Sequence, residues 1–175
     1  ENYFSPKAAV AFRASDELTL KASLGRAVRM PTVSELYQGT VSTQTIVNND
    51  PNLKPEKSWT SEWSAEQSLN DGKGLLRATF FHEDTVDALY SQTNTLVTPN
   101  ITNIQNVVKI PTNGLELAYQ NSDAFVSGLS LAASVTYADS KIVKNDKFPK
   151  SVGKWQPRVP QWRANFVASY RANDK

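Results

Sequence analysis

The feature that most constrains the fold is a strict two-residue alternation of apolar and polar side chains near the C-terminus. The two alternating sets are Trp162, Ala164, Phe166, Ala168, Tyr170 on one face and Arg163, Asn165, Ser169, Arg171 on the other. A period of two predicts a β-strand, because successive strand side chains point to opposite faces. Aromatic residues stand at both ends of the apolar face, an order typical of a lipid-facing strand between two aromatic girdles.

The same alternation recurs upstream and predicts an all-β protein, an antiparallel meander of about seven long strands. The apolar sets span Ala8–Ala14, Leu18–Leu24, Trp59–Leu69, Leu76–Phe80, Leu115–Tyr119 and Leu129–Tyr137. Many of these strands approach the ~9–11 residues that a tilted membrane strand requires, which exceeds the usual globular length of about five or six. Opposite the tryptophans lie Glu62 and Glu66, so carboxylates are expected to line a polar interior.

The connections between these strands alternate between short and long. The short turns are Ser15–Glu17, Asn70–Gly74 and Asn121–Gly128, and the long segments are Arg26–Pro55, Tyr90–Asn113 and Asp139–Pro160. The short turns carry the Asn, Asp, Ser and Gly residues that tight turns favour. Tight turns at one end of the sheet and long loops at the other are typical of outer-membrane barrels, whose long loops are extracellular.

Composition excludes several other classes. The chain has no Cys, and its net charge of +2 comes from interspersed signs, so neither a disulfide framework nor a nucleic-acid-binding patch is predicted. The single His82 stands beside Glu83 and Asp84, no nucleophile motif surrounds any serine, and we expect no catalytic or metal site. A soluble extracellular β-sheet binding module remains open, because half-buried strands in water alternate in the same way.

Two consecutive segments carry a family resemblance. They are RAVRMPTVSELYQG at Arg26–Gly39 and NNDPNLKPEKS at Asn48–Ser58, and together they resemble the barrel signature of TonB-dependent receptors. The match rests on Arg29, Pro31, Thr32, Glu35 and Leu36, followed by Asn49, Pro51, Leu53, Lys54, Pro55 and Glu56. Asp50 is inserted between Asn49 and Pro51 relative to the tightest form of the pattern. NGLELAYQ at Asn113–Gln120 and RVPQWRANFVASY at Arg158–Tyr170 also resemble strands of this family.

The motif residues are expected to act mainly in the structure of the loop. Thr32 and Glu35 have capping-box spacing, which predicts a short helical turn over Val33–Tyr37. Pro51 and Pro55 stiffen the return of the chain to the next strand. We therefore favour structural roles for these residues over contact with a ligand.

The resemblance implies a barrel of about 22 strands in the bacterial outer membrane, filled by a plug domain and energised by TonB. We expect residues 1–175 to be a partial receptor barrel, because the sequence shows no plug domain, no TonB box and only part of the strands. Its expected partners are outer-membrane lipid, a small ligand, and TonB through the missing plug domain. Such a segment is not expected to transport anything alone.

The resemblance further implies uptake of a ferric siderophore, in which the siderophore holds the iron and the protein needs no cofactor. Aromatic and cationic residues near the loops are the candidate ligand contacts, and they are Arg26, Arg29, Tyr37, Tyr90, Lys109, Trp155 and Arg158. Each has an alternative role, since the aromatic residues are suited to anchor the membrane interface and the cations to bind lipid phosphates or interior carboxylates. Cobalamin and oligosaccharides remain alternative cargoes.

Overall fold

The computed structural model describes residues 3–69 and 71–172, which form a nine-stranded sheet with two short helices. The strands are β1 Lys7–Arg13, β2 Leu18–Arg29, β3 Thr40–Val41, β4 Thr45–Asn48, β5 Glu56–Leu69, β6 Gly74–Asn94, β7 Asn100–Asn121, β8 Leu129–Ser140 and β9 Trp162–Tyr170. Helix α1 covers Val33–Tyr37, and a 3₁₀ helix covers Pro149–Ser151. Neither is long and apolar enough to cross a membrane.

Seven long strands form the antiparallel meander that the alternation predicts, in the order β1, β2, β5, β6, β7, β8, β9. The fold class is thereby confirmed. The two short strands were not predicted: β3 pairs with β4, and β4 runs parallel to the first residues of β7. The total number of strands in a closed barrel stays a prediction.

One face of the sheet is apolar across all seven long strands. A single line of paired residues crosses it and consists of Val10, Ala22, Trp63, Phe80, Leu115, Tyr137 and Trp162. Its large side chains are open to solvent, with Val10 65%, Trp162 66% and Phe166 70% exposed. A soluble sandwich would bury this face under a second layer, and the described residues supply no such layer. We call this face the outward face.

The opposite face, here called the polar face, carries a ladder of charges that joins four strands. Lys21 contacts Glu66 at 2.6 Å, and the guanidinium of Arg77 lies 4.0 Å from Glu66 and 3.7 Å from Glu116. Thr136 on β8 donates a 3.3 Å hydrogen bond to Glu116. The carboxylates expected on the polar side therefore alternate with cations, which offsets their mutual repulsion.

The segment Tyr90–Asn113, predicted as a long loop, is mostly strand. β6 continues to Asn94 and β7 begins at Asn100, so Tyr90 and Lys109 lie within strands. Cross-strand polar contacts hold the extension, with Gln105 donating to Gln92 at 3.0 Å and the hydroxyls of Thr93 and Thr102 2.9 Å apart. The prediction was wrong because both faces of this extension are polar, which hides the period of two.

The sheet turns over at Asp87, whose backbone has a φ of 54°. Pairing holds on both sides of it, at Val86 with Lys109 and at Ala88 with Val107. On the side of Asp87 nearer the short turns, Ile110 belongs to the polar face. It nevertheless packs with Ala88 and Val107, which lie beyond Asp87, in one buried cluster that also contains Ile142. Beyond Asp87, the apolar side chains of Ala88 and Val107 therefore point to the polar side of the sheet.

Of the remaining two long segments, Asp139–Pro160 keeps loop structure over most of its length, whereas Arg26–Pro55 also contains α1, β3 and β4. Helix α1 forms where the capping box predicts it, because Thr32 accepts from the Glu35 amide at 3.2 Å and Glu35 accepts from the Thr32 amide at 2.8 Å. β2 extends to Arg29 and β8 to Ser140, so these strands are longer than the apolar alternation indicates.

Candidate ligand-binding site

A pocket of about 610 Å³ opens between the extension of β6 and the segment that follows β8. Its lining includes hydrogen-bonding, aromatic and cationic groups, among them those of Tyr90, Gln92, Thr93, Phe148, Lys154 and Arg158. The volume falls in the range of roughly 300–1,000 Å³ that is usual for small-molecule sites. The pocket lies at the end of the sheet that carries the long loops.

The wall after β8 folds on itself through local hydrogen bonds. The Ile142 amide donates to the Lys154 carbonyl at 3.0 Å, and the Gly153 amide donates to the Ile142 carbonyl at 2.8 Å. Gly153 adopts a φ of +81°, a conformation that a side chain would strain. Asn145 is buried and donates to the Ser151 hydroxyl at 3.0 Å, so this wall has an internal polar core.

The same wall is attached to β7. The Val143 amide donates to the Lys109 carbonyl at 3.1 Å, and the Lys109 amide donates to the Lys144 carbonyl at 3.1 Å. Ile142 then packs into the cluster formed by Ala88 and Val107. These contacts hold the wall in place before any ligand binds, which reduces the entropy that a ligand would otherwise lose by ordering it.

Tyr90 and Arg158 meet in the pocket although they are far apart in the sequence. Burial raises the pKa of the Tyr90 phenol, while a hydrogen bond with Gln156 and the positive charge of Arg158 act in the opposite direction. Gln156 also accepts a hydrogen bond from the Ser140 hydroxyl, which accepts one from Thr112. The phenol therefore stays protonated at neutral pH beside a cation, an arrangement suited to oxygen-rich anionic ligands.

Three motif residues form a network at the rim of the pocket. The Arg29 guanidinium lies 3.1 Å from Glu35 and 3.6 Å from Glu56, and it donates to the Leu89 carbonyl at 3.5 Å. Glu56 accepts from the Leu89 amide at 2.8 Å. β5 pairs with β6 only as far as Val86, so Arg29 and Glu56 satisfy backbone groups that the sheet leaves open.

Electrostatics favour this rim network in its charged form. Burial acts to raise the pKa of Glu35, but hydrogen bonds from Thr32 and Arg29 outweigh it and hold the pKa below its ordinary value. Glu35 is also the third helical residue of α1, and Leu36 closes the first turn by donating to the Thr32 carbonyl at 3.1 Å. Arg29, Glu35 and Glu56 thus attach α1 to β6.

The second motif segment locks the return of the chain to β5. Pro51 lies in a turn, Leu53 is buried, and Pro55 directly precedes Glu56 at the start of β5. The Asn106 side chain accepts from the Lys54 amide at 2.8 Å and donates to the Lys54 carbonyl at 2.9 Å. Pro31 precedes the cap of α1, so the motif residues lie where loop, helix and strand join. Their structural role stays a prediction.

The other candidate residues lie outside the pocket or at its edge. Tyr37 is 69% exposed on α1, and Arg26 donates to the Phe4 carbonyl at 2.8 Å. Lys109 contacts Asp84 at 2.9 Å on the outward face. Trp155 borders the pocket, and Lys141 lies over its ring at 4.2 Å from the centroid. The structure thus brings together Tyr90, Trp155 and Arg158 and separates them from the others.

Sequence reasoning missed several residues of the pocket. Gln92, Phe148, Lys154 and Gln156 belong to segments with no regular period, and no pattern distinguished them from other loop residues. In this wall the sequence indicated only Trp155 and Arg158, as candidate ligand contacts. In residues 3–69 and 71–172, no group of three or more His, Asp and Glu side chains is placed to hold a metal ion.

Comparison with solved structures finds the same fold in several transport receptors. The ferric enterobactin receptor PfeA of Pseudomonas aeruginosa, solved in complex with enterobactin, matches 97% of this chain and 26% of its own length, with TM-score 0.70 and 20% identity. The siderophore receptor PirA of the same organism matches 97% of this chain and 31% of its own, with TM-score 0.71 and 18% identity. The copper transporter OprC matches 97% and 24%, with TM-score 0.70 and 22% identity.

The chain therefore spans about a quarter to a third of the length of these structures. A search of curated sequences finds no match. The protein family described as "TonB dependent receptor-like, beta-barrel" matches residues 1–174. The members of this family are transport receptors and bacterial outer-membrane proteins. With its meander of long strands and its matching family signature, the chain belongs to the TonB-dependent receptor β-barrel family.

Proposed function

We propose that this chain forms part of the wall of a bacterial outer-membrane receptor that takes up a ferric siderophore with energy supplied through TonB. The complete barrel of about 22 strands and a plug domain, through which TonB would act, belong to the same proposal. Family membership supports the class of protein. Siderophore receptors among the structural neighbours support the cargo.

The observation that carries the membrane part of this proposal is the outward face. Trp63 and Phe80 stack with ring centroids 5.6 Å apart, and the tilted rings of Tyr137 and Trp162 have centroids 4.8 Å apart. All four rings lie on the outward face. An apolar surface that spans seven strands is unfavourable in water, whereas lipid acyl chains cover it without cost. The outward face therefore contacts lipid, and the polar face lines the interior.

The pocket supports the proposal that the ligand is a ferric siderophore. Arg158 and Lys154 supply positive charge, Tyr90 and Phe148 supply rings, and Gln92 supplies an amide. An anionic iron chelate with aromatic or carbonyl oxygens is complementary to this set. Iron would be held by the siderophore, so we propose no metal ligands on the protein. Arg29 has the contacts of a structural residue, and we assign ligand contact first to Tyr90 and Arg158.

A second cargo has one observation in its favour. The extension near the pocket is rich in paired amides and hydroxyls, with Asn48 donating to Asn103 at 3.0 Å and Gln105 donating to Gln92 at 3.0 Å. Such groups hydrogen-bond sugar hydroxyls, so an oligosaccharide is the alternative to a siderophore. Cobalamin would use the same pocket with less need for Arg158.

Equilibrium dialysis of the full chain in detergent tests the cargo. The probes are a radiolabelled ferric catecholate, a ferric hydroxamate, cobalamin and a malto-oligosaccharide, each at equal concentration. The proposal expects a ferric complex to be retained above the others. Retention of the oligosaccharide or cobalamin with no ferric complex bound would contradict the siderophore assignment.

Two variants locate the bound ligand. Arg158→Gln removes the cation in the pocket and should weaken binding of a ferric complex by about tenfold or more, since hydrogen bonds to charged groups are worth about 1.5–3 kcal/mol. Lys150→Gln makes the same charge change on the same loop outside the pocket lining and serves as the matched control. Equal losses in the two variants would show a general charge effect and count against the pocket.

A further inference from the structure

Polar side chains in the pocket lining have their acceptor oxygens engaged by other protein groups. The Gln92 Oε1 atom accepts from the Gln105 amide group at 3.0 Å. The Asn145 Oδ1 atom accepts from the Phe148 amide at 3.1 Å, and the Ser151 hydroxyl donates to the Phe148 carbonyl at 2.8 Å. What Gln92 retains for a ligand is its amide nitrogen, which donates and does not accept.

A chain of hydrogen bonds makes the Tyr90 hydroxyl a donor as well. The Thr112 hydroxyl donates to the Ser140 hydroxyl at 2.8 Å, and the buried Ser140 donates to Gln156 Oε1 at 2.5 Å. Because the Gln156 oxygen is occupied, Gln156 bonds the Tyr90 phenol through its amide nitrogen, which donates. The phenol oxygen therefore accepts from Gln156, and its own proton is left for a ligand in the pocket that Tyr90 lines.

Arg158 occupies a backbone position that usually belongs to glycine. The Val159 amide donates to the Gln156 carbonyl at 3.4 Å and closes a turn with Pro157 and Arg158 at its centre. Proline fixes a negative φ, and Arg158 has a φ of +67°, so the turn is of type II, whose third residue is commonly glycine. A side chain at this position costs free energy, and folded proteins retain such strain mainly at functional sites. The Arg158 side chain lines the pocket.

The pocket lining carries positive charge. Arg158 and Lys154 both line it, and their guanidinium and ammonium groups donate hydrogen bonds but accept none. Glu56 is an acidic residue whose charge acts on Tyr90, and Arg29 holds it at 3.6 Å on the rim. Among the described residues, the lining includes no Asp or Glu. A ligand in this pocket therefore meets donors and cations.

We propose that the pocket selects ligands whose outer oxygens carry no proton, and that Gln156 is the residue that positions the Tyr90 proton for them. This inference rests on the proposed function and narrows its cargo to anionic ferric chelates. Such oxygens accept from Tyr90 and Arg158 in charge-assisted hydrogen bonds. A sugar hydroxyl instead brings a proton for which Tyr90, Gln92, Lys154 and Arg158 supply no acceptor, and a buried donor left unpaired costs free energy.

The contact between Gln156 and Tyr90 is tested without any ligand. Ionisation of the Tyr90 phenol is followed by ultraviolet absorbance of the full chain in detergent, as the difference between each chain and the same chain with Tyr90→Phe. Gln156→Met removes the amide donor and should shift this titration to higher pH, because the ionised phenol loses a hydrogen bond. Gln161→Met makes the same change on the same loop outside the pocket lining and should leave the titration unchanged. An unchanged titration in Gln156→Met would overturn the positioning role.

Binding of the ferric catecholate, measured by equilibrium dialysis, tests whether Gln156 acts through Tyr90. Gln156→Glu keeps an acceptor for Ser140 but replaces the donor to Tyr90 with a second acceptor, so the phenol proton turns from the pocket to the new carboxylate. This variant should bind the ferric catecholate about tenfold more weakly or worse. In a Tyr90→Phe background the same change should have a smaller effect, because only the added charge remains. Equal losses in the two backgrounds would overturn the inference.

The strained turn gives a test in which stability and binding change in opposite directions. Arg158→Gly relieves the left-handed backbone and should raise the midpoint of urea unfolding, while it weakens binding of the ferric catecholate about tenfold. Asp71→Gly is the matched control, since Asp71 has a φ of +52° in a short turn away from the pocket. It should leave binding unchanged. A lower unfolding midpoint in Arg158→Gly would show that this side chain supports the fold and would contradict its assignment to the ligand.

The dialysis also distinguishes the two possible failures. If the unmodified chain retains the ferric catecholate and the Gln156 variants bind it equally well, the inference is overturned and the siderophore proposal stands. If the unmodified chain retains the malto-oligosaccharide and no ferric complex, the siderophore proposal fails and the selection of proton-free oxygens fails with it. A shifted phenol titration would then leave Gln156 as a structural contact of Tyr90.

Discussion

The ring of Phe81 lies over Gly114 on the neighbouring strand, so closely that a Cβ at position 114 would come within 2.0 Å of the Phe81 Cζ. The two residues are directly paired between β6 and β7, on the polar face of the sheet. Gly114 begins the Gly-x-Glu-Leu segment whose resemblance to family strands the sequence shows. Its physical role is to leave space for an aromatic ring, a known device for glycine within a strand.

Gly114→Ala should therefore destabilise the sheet. Overpacking of this kind costs about 1–3 kcal/mol, because the Phe81 ring must leave its preferred position. The measurement is the free energy of unfolding by urea in detergent. Gly25→Ala is the matched control, since its added Cβ would meet only Lys7 Cγ at an ordinary 3.8 Å. Combining Gly114→Ala with Phe81→Ala should relieve the clash, and an additive double variant would contradict the contact.

Removing the rim cation should release α1 from β6. Arg29→Gln breaks the contacts with Glu35 and Glu56 and leaves the Leu89 carbonyl without its donor. The expected loss is about 1–2 kcal/mol of stability, reduced from the value for buried pairs because Arg29 is half exposed. Faster chymotrypsin cleavage after Leu36 and Tyr37 of α1 would report the release.

Lys54→Gln is the control for this experiment, because Lys54 contacts Asn106 through its backbone alone. The control leaves Leu36 and Tyr37 unchanged and should keep the wild-type rate of chymotrypsin cleavage. If the Arg29→Gln variant is also cleaved at the wild-type rate, the motif residues do not attach α1 to β6. A direct role in ligand binding would then be the better account of Arg29.

Acid should weaken the contact between the two long loops. Lys147 donates to Asp50, and this hydrogen bond, with one from the Asn52 amide, holds the pKa of Asp50 below its ordinary value of 3.8. A lowered folded-state pKa means that the stabilisation is complete above the unfolded value and is lost as pH falls through the folded value. The effect is about 1 kcal/mol or less, since the pair is partly exposed.

The midpoint of thermal unfolding, followed from about pH 6 to about pH 2, checks this sign. Wild type should exceed Asp50→Asn at the upper end, and the difference should vanish at the lower end. In a Lys147→Gln background the difference should be small at every pH. A difference that grows as the pH falls would contradict the assignment of Asp50.

The sequence predicted the parts of the fold that depend on local pattern. The alternation that ends in Trp162–Tyr170, the turns at Ser15–Glu17 and Asn121–Gly128 and the capping box of Thr32 and Glu35 each have a signal within a few residues, and each is present in the structure. The predicted turn at Asn70–Gly74 begins at Asn70, which lies outside the described residues. The period of two also assigned the polar carboxylates to the face opposite Trp63. The resemblance to TonB-dependent receptors rested on two consecutive motifs and is confirmed by the family match.

Features that depend on distant pairing could not be predicted. The extension of β6 beyond Asp87 has polar residues on both faces, so it looks like a loop until β7 pairs with it. The exchange of faces at Asp87 requires a positive backbone φ angle that no sequence pattern predicts. Tyr90 and Arg158 form one pocket only because the wall after β8 folds onto that extension.

The most direct test of the central claim measures the size and secondary structure of the full chain with and without detergent. Light scattering gives the size, and far-ultraviolet circular dichroism gives the β content. With Trp162, Phe166 and Val10 exposed on a lipid-facing surface, the chain should be β-rich and monodisperse only in detergent and should associate in plain buffer. A compact β-rich monomer in plain buffer would contradict the claim that this face lies in a membrane.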